Sequence, residues 1–195
     1  MKTEDLGKSK LLNMLFKPAG SAMESRFRHL LQDPVRIVHG ADVRPGQTVL
    51  EVGSGTGFFT MAAARLIGNQ GCLIAMDPLM AYVERLNEKL DAAGLRNVRV
   101  VRRDALNTGL DAASIDRALL FGVLPFVPLP LPFTSLPLNR LLPEMHRILK
   151  PDGTLAVWMF PIAGWIPRSI RRSELFAYLH KRNGVHNYRR RQAEN

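Results

Sequence analysis

A short apolar run followed at once by three closely spaced glycines governs how this chain can fold. Thr48-Val49-Leu50-Glu51-Val52 reads as a buried strand, and it ends in Gly53-Ser54-Gly55-Thr56-Gly57. Phe58 to Leu66 then has helical character, with alanines and neither proline nor interior glycine. Glycines after a buried strand and ahead of a helix let backbone approach a ligand closely and adopt conformations closed to other residues. Their spacing is G-x-G-x-G. A dinucleotide fingerprint needs its third glycine at position 58, which is Phe58. No Gly-Lys-Ser/Thr follows, so a phosphate-cradling P-loop is excluded.

Downstream, short strands alternate with helical patterns. Cys72 to Met76 is a second apolar strand, capped by Asp77-Pro78, and Met80 to Ala93 follows as a helix stopped by Gly94. Val98 to Val101 and Ile115 to Phe121 read as further strands. Leu138 to Leu149 is helical, and Pro151-Asp152-Gly153 turns into a strand over Thr154 to Met159. Upstream, Glu24 to His39 reads as a helix that Pro34 breaks or restarts. Strands separated by helices, with apolar runs in place of clean alternation, predict an α/β fold. The expectation is a Rossmann-like, doubly wound, mainly parallel sheet. Near the end, Leu175–Lys181 and Val185–Arg191 flank Asn183-Gly184, the dipeptide of type I′ turns, so an antiparallel hairpin closes the sheet.

Acidic residues recur at the strand ends. Glu51 feeds the glycine loop, Asp77 ends the second strand, and Asp104, followed by Ala105, comes after the third. Ligands of open α/β sheets sit outside the carboxyl ends of the strands, so these carboxylates are placed to face one crevice. Each also has a structural alternative: Glu51 as a hydrogen bonder that fixes the loop, Asp77 as a turn or helix cap, and Asp104 as a strand-end turn.

From about Glu24 onward the chain resembles the class I S-adenosylmethionine-dependent methyltransferases. Glu51-Val-Gly-Ser-Gly-Thr-Gly is similar to their first motif, Met76-Asp77-Pro78 to their second-strand acid, and Arg103-Asp104-Ala105 to their adenine-contacting segment. Leu141 to Thr154, LLPEMHRILKPDGT, resembles the helix and turn before strand five in the small-molecule branch, which includes the quinone-biosynthesis enzymes. The resemblance implies seven strands in the order 3-2-1-4-5-7-6 with strand seven antiparallel. S-adenosylmethionine would be the cofactor and S-adenosylhomocysteine the product, with no metal. Gly53, Ser54, Gly55 and Gly57 would wall its methionine part and Glu51 help hold its amino group. Asp77 with Pro78 would meet the ribose and Asp104 with Ala105 the adenine. Phe121 and Gly122 would sit near cofactor and acceptor.

The reaction needs alignment more than acid–base chemistry, and no catalytic side chain is assigned. His29, His39, His146, His180, His186, Tyr82 and Cys72 are read as packed or solvated. The Asn/Asp-Pro-Pro-Tyr/Phe tetrapeptide of amino-methylating enzymes is missing after strand four. In its place stands Leu124 to Pro137, LPFVPLPLPFTSLP, read as a stiff apolar acceptor wall or as a loop packed on its own domain. A small, apolar acceptor, of lipid or quinone type, is therefore expected.

Charge divides unevenly. Seven Lys/Arg oppose four acids in residues 1–36, twelve oppose eleven in 37–167, and eight oppose two in 168–195. Basic ends attract phosphate, on an anionic membrane surface or on nucleic acid, or simply stay solvated. A nucleic-acid acceptor and a non-catalytic cofactor-binding protein are the competing readings. Residues 1–23 are expected to form a basic, apolar extension, a lid or a lipid contact, and 24–195 a single domain. A lone Cys72 and no secretory signal place the expectation in the cytoplasm, with peripheral membrane contact open.

Overall fold

Val49, Leu50, Leu73, Leu119, Leu120 and Leu155 are all fully buried, as strands covered on both faces require. The computed structural model describes residues 32–123, 137–159 and 165–192. Its strands are β1 (Thr48–Val52), β2 (Cys72–Asp77), β3 (Val98–Arg102), β4 (Ile115–Phe121), β5 (Leu149–Trp158), β6 (Phe176–Arg182) and β7 (Val185–Arg190). They form one sheet in the order β3-β2-β1-β4-β5-β7-β6, as expected. Neighbours from β3 to β5 are parallel, whereas β7 runs antiparallel to both β5 and β6. Asn183 and Gly184 take φ of 49° and 81°, the positive pair that a type I′ turn demands.

The helices of the described residues are α1 (Pro34–Gly40), α2 (Thr60–Ile67), α3 (Met80–Ala92), α4 (Leu138–Ile148) and α5 (Ile166–Arg172). Period-two alternation sorts them. Leu50, Val52, Ile74, Met76, Ala118 and Leu120 pack with Leu141, Leu142, Met145 and Ile148 of α4 and with Ile166 and Ile170 of α5. Residues of opposite parity, Val49, Leu73, Leu119 and Phe121, pack with Ile37 and Val38 of α1 and Ala63, Ala64 and Ile67 of α2. Leu86 and Leu90 of α3 cover Ala75. The central strands β1, β2 and β4 are thus covered on both faces, whereas the hairpin strand β6 is largely exposed.

Several boundaries differ from the sequence reading. Pro34 opens α1, with Asp33 capping the helix by accepting from the Val35 and Arg36 amides at 2.9 and 3.1 Å. Helix α2 begins at Thr60, two residues late, after a turn that Gly57 N–H closes on the Ser54 carbonyl at 3.0 Å. Strand β5 begins at Leu149. Leu149 pairs with Ile115, then Thr154 with Arg117, so residues 150–153 arch out of a ladder that already exists. Helix α5 went unread, since its seven residues, IPRSIRR, are too short to show periodicity. The 1–23 extension, residues 24–31 and residues 124–136 lie outside the described residues. No helix among the described residues is long and apolar enough to cross a membrane.

Leu141 on α4 has no exposed surface. Leu141→Ala is expected to lower unfolding free energy by about 3 kcal/mol, read as a lower midpoint in urea denaturation.

Candidate functional site

The crossing from β1 to α2 is tied down at each step. Gly53 and Ser54 amides both donate to the Met76 carbonyl at the end of β2, at 2.7 and 3.1 Å. Gly55 N–H donates to Asp77 Oδ2 at 2.9 Å, while Asp77 Oδ1 accepts from the Leu79 amide at 2.9 Å. Lys89 of α3 reaches over to donate to the Thr56 carbonyl at 2.9 Å. Gly53 and Gly57 have φ of 68° and 92°. A β-carbon would strike Val123 at Gly53 and lie 2.5 Å from Leu86 Cδ1 at Gly57. Glycine is required at both for conformation and for space.

Beneath the loop lies Glu51, 1% exposed, whose Oε2 accepts from Thr60 Oγ1 at 2.6 Å. This bond joins the end of the strand to the first residue of α2, the loop-fixing role the sequence left open. Burial pushes the Glu51 carboxyl up to about 8; the Thr60 bond opposes the rise and the Asp77 charge adds to it. Burial likewise lifts Asp77 to about 6 against its bonds from Leu79 and Gly55. Ser54 Oγ, in the same loop, is buried with no hydrogen-bond partner among the described residues. Two carboxylates and an orphan hydroxyl therefore share the mouth between β1 and β2.

Asp104 and Ala105 lie just beyond β3, whose Arg102 stands opposite Asp77 in the sheet register. Asp104 Oδ1 accepts from the Leu106 amide at 3.0 Å, forming a strand-end turn, and Ala105 is buried in the core. Pro78 accepts from Arg102 Nε through its carbonyl at 3.3 Å. Phe121 stands at the end of β4, but its ring sits edge-on to Phe59 at 5.1 Å within the α2-side core. Its backbone, not its ring, is what the strand end presents. Sequence reasoning thus named the residues that the loop and β2 bring together, and it missed the ones that hold them: Thr60, Leu86, Lys89 and Val123. Thr60 carried a faint signal, a polar residue at the start of an apolar helix. The other three act only through tertiary contact.

Of the side chains read as packed or solvated, His29 lies outside the described residues, and His146, His180 and Tyr82 have partners or burial of their own. His146 Nε2 lies 2.8 Å from the Arg191 carbonyl and its ring sits edge-on to Phe176. His180 pairs with Asp42 at 2.9 Å. Tyr82 is buried, and burial, helped by Asp77, lifts its hydroxyl to about 12. Among the described residues no group of three or more His, Cys, Asp or Glu could hold a metal ion.

Raised carboxylate pKa values make the folded state bind protons more tightly than the unfolded chain. Their contribution to stability is complete below about pH 4 and is lost as pH rises through the folded values near 6 and 8. Glu51→Gln is therefore expected to flatten the pH dependence of stability between pH 5 and 8, removing a slope of roughly 1 kcal/mol per pH unit, and to gain on wild type at the alkaline end. Denaturation midpoints across that range check it.

Residues 49–153 match the family model described as a methyltransferase domain. Over 90 residues the chain is 32% identical to a protein-L-isoaspartate O-methyltransferase of Methanothermobacter thermautotrophicus, covering 46% of this chain and 42% of that protein. Over 108 residues it is 34% identical to the catalytic subunit of a tRNA (adenine(58)-N(1))-methyltransferase of Yarrowia lipolytica, covering 54% and 26%. The chain thus spans less than half of the length of either relative. The solved structure of a SAM-dependent methyltransferase from Aquifex aeolicus shares the fold, with a TM-score of 0.72 at 22% identity over 88% of this chain and 95% of that one. The matched segment runs from β1 and the glycine loop through the second-strand acid to the arch inside β5, more than half of the chain, and the chain belongs to the methyltransferase domain family.

Proposed function

We propose that this chain is an S-adenosylmethionine-dependent methyltransferase that holds its cofactor across the carboxyl ends of β1 to β4 and passes the methyl group to a small, apolar acceptor. The observation that carries the reading is the pair of buried carboxylates, Glu51 and Asp77, on either side of a glycine loop that also buries the unpartnered Ser54 hydroxyl. These residues fit the cofactor. Asp77 spends one lone pair per oxygen on backbone amides and keeps others for ribose hydroxyls. Ser54 Oγ has a hydrogen bond still to make. Glu51 offers negative charge to a cationic amino group, and Asp104 and Ala105 extend the same rim toward the adenine. Phe121 and Gly122 would contribute backbone at the end of β4.

When bound, the cofactor supplies an electrophilic methyl group on a sulfonium. The chain's own part is to orient and to exclude water. The tethered loop fixes one wall, and rigid strand ends hold the acids without further reorganisation. The acceptor side of the proposal rests on sequence: residues 124–137 follow β4 with five prolines, Phe126 and Phe133. The basic, apolar segment 1–23 is assigned to a lid or to contact with an anionic membrane surface.

Calorimetric titration with S-adenosylhomocysteine tests this reading. Wild type is expected to bind, and Asp77→Ala to bind at least tenfold more weakly, about 1.4 kcal/mol. Because Glu51 titrates near 8, a cationic ligand is expected to expel protons near neutral pH, seen as a heat that changes with the ionisation enthalpy of the buffer. A folded wild type that binds neither product nor cofactor overturns the reading.

A second reading, an RNA acceptor, is favoured by one surface. Arg168, Arg171 and Arg172 on α5, with Lys181, Arg182 and Arg189 on the hairpin, are exposed, and the Arg171 guanidinium lies 6.0 Å from the centre of the Tyr178 ring, 42% exposed. The tRNA-modifying relative points the same way. This reading expects RNA affinity that falls steeply with salt, with a slope reduced by about one for each of these cations removed. Affinity indifferent to salt removes it.

A further inference from the structure

The opposite end of the sheet carries a second cavity, of about 650 Å3, walled by the segments that lead into β1, β4 and β5. Arg44 and Gln47 come from the turn before β1, Asp116 and Arg117 from β4, and Lys150 and Asp152 from the arch inside β5. The arch is tight: a β-carbon at Gly153 would lie 2.9 Å from the Lys150 carbonyl and 3.1 Å from that of Ile115.

Arg117 is the unusual member. It is 9% exposed, and its Nη1 donates to the Ala41 carbonyl at 2.6 Å and to Thr154 Oγ1 at 2.8 Å. Both acceptors are neutral. Nε is buried with no partner among the described residues. The carboxylates that act on Arg117 from nearby, Asp42 and Asp116, are committed elsewhere. Asp116 binds Lys150 Nζ at 2.7 Å and the Thr48 amide at 2.8 Å, and Asp42 binds Arg182 and His180, each at 2.9 Å. A buried guanidinium normally faces an anion, because desolvation without compensation is costly. Arg44 stands at the rim, exposed, with its amide held by Gln47 Oε1 at 2.8 Å and its guanidinium without a partner among the described residues. Three cations against Asp116 and Asp152 leave the cavity one positive charge in excess.

We propose that this cavity is an oxyanion site that takes a phosphate group, free or carried on a small molecule, between Arg117 and Arg44 with Lys150 beside them. Planar guanidinium donors match phosphate oxygens in pairs. The site lies at the amino ends of β1 and β4, away from the carboxyl ends where the glycine loop sits. It therefore stands or falls independently of methyl transfer.

The full chain, titrated with inorganic phosphate at constant ionic strength and followed by backbone amide NMR, tests it. Saturating shifts are expected at Arg44, Gln47, Gly153 and Thr154, with the Gly53–Gly57 amides unmoved. Arg44→Gln is expected to weaken phosphate at least about fivefold and to leave S-adenosylhomocysteine binding as it was. Arg117→Lys keeps the charge and loses the fork, and is expected to weaken phosphate while retaining a cooperative melt. Glycerol 3-phosphate in a parallel titration identifies the source: tighter binding than phosphate assigns a phosphorylated small molecule, and weaker binding assigns free phosphate. Shifts that never saturate, shifts confined to residues 168–191, or an Arg44→Gln variant that binds as wild type does would overturn the proposal.

Discussion

The hydrogen bond from Thr60 Oγ1 to Glu51 Oε2 holds the centre of this molecule. It spans the point where the chain leaves β1, the strand at which the sheet order reverses, and enters α2. Between its ends the backbone has to fold back across β2, and that detour is fixed by amides donated to Met76 and Asp77. Remove the bond and the buried Glu51 carboxyl loses the hydroxyl that donates to it, while α2 loses its anchor on the strand. The cost of an unpaired buried acid is several times that of an ordinary hydrogen bond. The loop's shape is therefore settled before any ligand arrives.

That arrangement puts structure and chemistry in tension. Glu51 and Asp77 would be more comfortable protonated, yet a cationic ligand wants them charged. Burial raises both carboxyls, so each holds its proton more tightly than a solvated carboxyl does, and a positive partner would work against that rise. Preorganised sites have this character: the unfavourable electrostatics are built in during folding, and binding relieves them.

How much of this was legible depends on the range of the interaction. Glu51, Asp77 and the glycines could be read because strand, turn and acid are neighbours in sequence and the pattern itself places them at strand ends. The order of the seven strands came through the family resemblance, and the hairpin through Asn183-Gly184. What escaped was set by partners far along the chain. Lys89 holds Thr56 from 33 residues away. The ladder between Ile115 and Leu149 starts β5 before its arch, so Pro151-Asp152-Gly153 looked like a beginning when it is an interruption. Phe121 was placed at the right strand end, but the parity that turns its ring into the core is visible only once β4 has neighbours on both sides. Nothing local to Arg117 announces its burial.

The docking of α1 has a consequence for how the protein is made. Asn183 and Asn187 side chains donate to the carbonyls of Arg36 and Gly40, each across 147 residues, and Arg182 reaches Asp42 across 140. On the ribosome, the first described helix emerges long before the hairpin that seats it. Until β6 and β7 are synthesised, Ile37 and Val38 lack part of their cover, and the edge of β5 has no partner strand. Assembly of this region is therefore late and high in contact order, so the half-made chain passes through an interval of exposed strand edge in which chaperone capture or mispairing competes with folding.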